Sequence, residues 1–96
     1  MAEFLICRTD GDWFDLHYPQ FFEVLHPNSI PYKKLGEYTI EVEGCEVSFF
    51  DEMPGIHVVL RKKPLASAIQ TQVLQEVLEN IERYTGQKGR IDLLTP

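Results

Sequence analysis

The 96-residue sequence predicts an α+β domain built on an antiparallel β-sheet. A central three-stranded meander spans 37–61, with further strands at the N- and C-terminal ends. One long helix over about 66–85 packs on one sheet face, and a short helix lies near 19–26. Three observations carry this expectation. Polar and apolar residues alternate from Glu37 to Val42, the period-two pattern of a half-buried strand. Glu43-Gly44 and Pro54-Gly55 are turn chemistry that divides the middle of the chain into hairpins. From Ile69 to Ile81 apolar residues recur at three- and four-residue steps, the stripe of an amphipathic helix.

Taken in order, Glu3 to Thr9 is rich in β-formers and reads as the first strand. Asp10-Gly11 turns the chain, and Trp13 to Tyr18 is either a returning strand or a loop. Pro19 can open a short helix, with Phe21, Phe22, Val24 and Leu25 inside and Pro27 ending it. Asn28 to Lys34 reads as loop. Two-residue turns then set the register: Val42 opposite Cys45, Ile40 opposite Val47, Phe49 opposite Leu60 and Asp51 opposite Val58. One face gathers Tyr38, Ile40, Val42, Cys45, Val47, Phe49, Val58 and Leu60 as core. The other gathers Glu37, Glu41, Glu46, Ser48, Phe50, Glu52, His57, Val59 and Arg61. In the long helix Ser67 and Gln70 fit a capping box. Ile69, Val73, Leu74, Val77, Leu78 and Ile81 face the core, Tyr84 extends the stripe, and Gly86 ends it. Arg90 to Leu94 forms a last short strand.

The length suits one domain, 1–96, which hides roughly 60–65% of its unfolded surface. Six Phe, four Tyr and one Trp supply ample material for its core. The net charge is −6 and unevenly spread: residues 1–60 carry eleven acids against three bases, and 61–96 carry six bases against four acids. Such a balance argues against nucleic-acid and anionic-membrane partners. Arg61-Lys62-Lys63 is the one basic run. No stretch is apolar for long enough to span a membrane, and the first residues lack the basic start of a signal peptide. Cys7 and Cys45 read as reduced, buried, small apolar residues, which points to a cytoplasmic location.

No catalytic motif stands in the chain, so no catalytic residue, cofactor or metal ligand is assigned. His17 and His26 with Asp15 or Glu23 lack diagnostic metal spacing, and the acids lack the clustered spacing of a calcium loop. Two features stand out. Glu41 lies directly opposite Glu46, with Glu37 and Glu43 nearby, and like charges across a hairpin repel. A solvated strand face, with Lys63 relieving Glu46, explains this as well as a docking surface for a basic partner does. Five of the aromatics, Trp13, Phe14, Tyr18, Phe21 and Phe22, fall within ten residues. Alternation would expose one of Trp13 and Phe14 beside Asp10, Asp12 and Asp15, as a binding anchor with a polar rim. The expected function is therefore a non-catalytic protein-binding domain of inhibitor, immunity-factor or accessory-subunit type. The alternative is a small enzyme or ligand-binding domain with a pocket near 13–22, lined by Trp13, His17 and Tyr18. Pairing of two copies through an open sheet edge is a further expectation.

Overall fold

A computed structural model describes residues 2–16, 21–52 and 55–95, and for 21 and 22 the backbone alone. The elements are β1 (Ala2–Arg8), α1 (Phe21–Val24), β2 (Lys33–Lys34), β3 (Thr39–Val42), β4 (Cys45–Glu52), β5 (Gly55–Lys62), α2 (Ser67–Thr85) and β6 (Gly89–Thr95). The strands form one six-stranded sheet in the order β2-β3-β4-β5-β1-β6, and every neighbouring pair is antiparallel. With α2 across one face, the architecture is α+β.

The β3–β4 hairpin has the register its turn demands. Glu43 and Gly44 both take positive φ, 49° and 84°, as a type I′ turn requires. Val42 faces Cys45 and Ile40 faces Val47. The β4–β5 register differs from the sequence expectation by two residues: Phe49 faces Val58, and Asp51 faces Ile56. The hairpin closes on Glu52 and Gly55, so its connection is 53–54, outside the described residues, rather than Pro54-Gly55. A shift of two preserves side-chain parity, so the faces survive although the partners change. Gly55 is not among the positive-φ glycines. Its role is close approach: a Cβ there would lie 2.2 Å from the Ile6 carbonyl oxygen, which no side chain tolerates.

The core lies between this sheet face and α2. Ile6, Val42, Cys45, Val47 and Val58 are buried on the sheet side; Val73, Leu74, Val77, Leu78 and Ile81 are buried on the helix side. Gly86 at φ 72° ends the helix, its N–H donating to the Glu82 carbonyl at 2.8 Å. Three helix expectations are corrected. The N-cap is Ala66 with no side-chain cap bond, so Ser67 is already helical and the Ser67–Gln70 capping box does not form. Tyr84 is exposed, because the stripe drifts off the sheet after Ile81. Asn80, a polar residue that the apolar stripe of Ile69 to Ile81 leaves to the remainder of the helix, is buried beneath the 24–28 segment.

Local hydrogen bonds explain two further differences. Leu35 and Gly36 both donate their N–H to the Thr39 carbonyl, which curls residues 35–38 and delays β3 to Thr39. Within the expected 28–34 loop, Lys33 and Lys34 pair with Glu41 and Ile40 as the short β2. The expected helix over 19–26 falls partly on residues outside those described; α1 occupies Phe21–Val24, followed by the fully buried Pro27. Residues 13–16 are irregular.

Candidate interaction surfaces

The sheet face opposite α2 carries the predicted acids, and the strand order sets their neighbours. Glu41 does stand opposite Glu46. On the far side of Glu41 the register brings Lys33, and on the far side of Glu46 it brings Arg61. The row across the sheet is therefore Lys33, Glu41, Glu46, Arg61, with two cations enclosing two carboxylates. Lys62 adds an ion pair, its Nζ 3.0 Å from Glu46 Oε2. Lys62 reaches across because its φ of 69° breaks strand alternation. The ion pair on Glu46 thus comes from Lys62 rather than from Lys63, while Arg61 stands opposite Glu46 in register. Glu37 is exposed in the 35–38 curl and Glu43 in the hairpin turn, at opposite ends of β3. The fold brings Glu41 and Glu46 together and leaves Glu37 and Glu43 apart from them.

On the same face His57 lies between two carboxylates. Its Nε2 is 2.8 Å from Glu3 Oε1, and its Nδ1 is 3.5 Å from Glu52 Oε2. The Phe50 ring is tilted against it at 6.1 Å between centroids. The sequence places Glu52 and His57 on one sheet face but gives no sign of Glu3, because the β1–β5 pairing joins residues far apart in the chain and leaves no local signature. Among the described residues no three His, Cys, Asp or Glu side chains converge as metal ligands.

The aromatic segment divides as alternation suggests, though in a loop. Trp13 is 45% exposed, while Phe14 packs on the core, so close to Gly89 that a Cβ there would stand 2.6 Å from its ring. The loop is tied down by its polar residues. Arg8 donates to the Trp13 carbonyl at 2.8 Å and pairs with Asp10, and the Asp15 N–H donates to Gln87 Oε1 at 2.7 Å. The Asp12 amide and the Arg8 guanidinium hold the Asp10 carboxyl below its usual range. Beside Trp13, Phe14 and Leu16 is a cavity of about 50 Å³, room for roughly one water molecule. His17 and Tyr18, expected to line a pocket here, lie outside the described residues, as do the Phe21 and Phe22 side chains.

Sequence reasoning gave least weight to the last strand, whose outer edge is open. Among the described residues β6 has one neighbour in the sheet order, β1. It exposes Leu93 at 59% and Leu94 at 51%. Phe4 faces Leu93 and Glu3 faces Thr95, so Leu94 is the extra residue of a β-bulge that turns it outward. The adjacent leucines, breaking period-two alternation, were the available sequence signal. Both cysteines are buried and unbridged, and desolvation raises both thiol pKa values, which keeps them neutral and unreactive. No helix of the described residues is long and apolar enough to cross a membrane. The chain matches no protein-family model, no curated protein and no solved structure.

Proposed function

We propose that this chain is a non-catalytic protein-binding domain whose recognition element is the open edge of β6, and that the occupant of this edge is a second copy of the chain. The supporting observation is the contrast between the two sheet edges. An unpaired strand edge templates further strand addition unless it is short, charged or interrupted. The β2 edge has these protections: it is two residues long, both are lysine, and Pro31 precedes it. The β6 edge is seven residues long, carries the exposed leucines, and keeps its bulge near the C-terminal end.

The sequence of β6 is self-complementary in one register. An antiparallel pair with its two-fold axis at Ile91 sets Arg90 of each copy opposite Asp92 of the other. Within one chain these side chains already lie 3.2 Å apart, so pairing makes a cluster of four alternating charges. The same register puts Leu93 opposite the partner's Gly89, which has no side chain of its own and lies against the Phe14 ring and Leu78, an apolar neighbourhood for the incoming leucine. Moving the axis to Asp92 opposes two aspartates, and moving it to Arg90 opposes two arginines, each unfavourable by up to about 1 kcal/mol. Docking of a basic partner on Glu41 and Glu46 has weaker support, because Lys62 already pairs with Glu46 and the register sets Lys33 and Arg61 beside the two carboxylates.

Sedimentation velocity over a concentration series tests the proposal. The wild-type chain is expected to dimerise with concentration, and the Leu93→Lys/Leu94→Lys variant to remain a monomer with unchanged circular dichroism. Amide exchange along β6 should slow as the dimer forms. A wild-type chain that stays monomeric into the high micromolar range contradicts the reading.

A further inference from the structure

We infer that the cavity at the corner between β5 and α2 binds a small amphipathic anion, an apolar body of medium length ending in a carboxylate or sulfonate. The cavity measures about 530 Å³, within the range of roughly 300–1,000 Å³ typical of small-molecule sites. Its lining combines the apolar Cys45, Leu60 and Leu65 with the basic Arg61, Lys62 and Lys63. Cys45 is fully buried and burial raises its thiol pKa, so it serves as an uncharged wall.

Regular alternation would send three consecutive basic side chains to opposite faces of the sheet. The left-handed Lys62, at φ 69°, interrupts that alternation at the end of β5, and all three residues contribute to the lining of this one cavity. A positive φ at a long side chain is uncommon. The three bases also stand together in a chain of net charge −6, so their grouping runs against the global charge. Lys62 is occupied by Glu46 at 3.0 Å. Arg61 and Lys63 form no side-chain ion pair or hydrogen bond among the described residues, while a Cβ on Gly44 would lie 3.0 Å from Lys63 Cδ, so the Lys63 stem runs against the β3–β4 turn. Two free cations over an apolar recess complement a ligand with one anionic end and an apolar remainder. A metal ion or an organic cation would be repelled, and three bases are too few to track a nucleic-acid backbone.

The test uses 8-anilinonaphthalene-1-sulfonate as the fluorescent probe on the full chain at neutral pH, with decanoate and decyltrimethylammonium as competitors. Decanoate is expected to displace the probe and the quaternary ammonium is not. Amide shifts on decanoate addition should centre on Ala2, Cys45, Leu65 and Gln70. Arg61→Glu/Lys63→Glu should weaken probe binding by about tenfold or more, with the circular dichroism of the folded chain unchanged because both residues are exposed. Arg61→Gln/Lys63→Gln should give a smaller loss in the same direction. Displacement by both competitors, affinity unaffected in the double variants, or shifts centred on β6 overturns the inference. So does capture by phosphatidylglycerol vesicles without probe displacement by free decanoate, which assigns the basic run to a membrane surface.

Discussion

Glu76 and Asn80 hold the 24–29 segment against α2, and neither role is visible in a helical wheel. The Glu76 carboxylate accepts from the Asn28 and Ser29 amides at 2.6 and 2.8 Å, from the Ser29 hydroxyl and from Gln72 at 2.9 Å. These donors, the Ser29 hydroxyl foremost, pull its pKa from 4.5 to about 2. Asn80 donates to the His26 carbonyl at 2.9 Å and accepts from Asn28 at 2.8 Å. A polar side chain at a helix position reads as solvent-facing until the loop that covers it is known, so sequence periodicity could not reveal either. Because the folded pKa of Glu76 is depressed, its stabilisation is complete above 4.5 and is lost as pH falls toward 2. Glu76→Gln should therefore lower stability by roughly 1–2 kcal/mol at about pH 7, allowing for solvent screening. It should also flatten the decline between about pH 5 and 2. Urea melts across that range check both, and a decline of wild-type steepness in the variant would refute the assignment.

At the level of elements, much was legible. Turn chemistry at Glu43-Gly44 determined both the hairpin type and its register, because a polar residue followed by glycine suits a two-residue loop with positive φ at both positions. At the next hairpin the same reasoning placed the turn one residue too late, on Pro54-Gly55, whereas Gly55 already pairs with Glu52. Gly55 looks like a turn residue in sequence, yet it is required by the backbone of β1, an element far earlier in the chain. The α2 stripe from Val73 to Ile81 was readable because its period is local; the missing cap at Ala66 was not, since Ser67 has the right chemistry one residue too late. Val77→Ala should cost about 1–3 kcal/mol through lost burial and a residual cavity, and Glu79→Ala less than about 0.5 kcal/mol. Equal midpoint changes in urea unfolding would place the stripe on the wrong side of the helix.

For the whole molecule, strand order decides which surface is available for a partner. The Glu41–Glu46 pair was legible as a local juxtaposition, but the cations that flank it come from β2 and β5, and only the assembled sheet brings them alongside. That one of Trp13 and Phe14 would be exposed was legible, though not which, whereas the β6 edge gains its meaning from being last in the order β2-β3-β4-β5-β1-β6. One edge is short and lysine-guarded; the other is long, regular over Gly89 to Leu93 and self-complementary in charge. The central claim is that β6 pairs with itself about Ile91, and charge exchange tests it most directly. Sedimentation equilibrium would compare wild type, Asp92→Arg, and the double variant Arg90→Asp/Asp92→Arg. The account predicts a wild-type dimer, weakened by the single reversal, which sets two guanidinium groups against each other across the pair. It predicts that dimerisation is regained in the double variant, where opposite charges face again. Dimerisation indifferent to the single reversal, or not regained in the double variant, would contradict it.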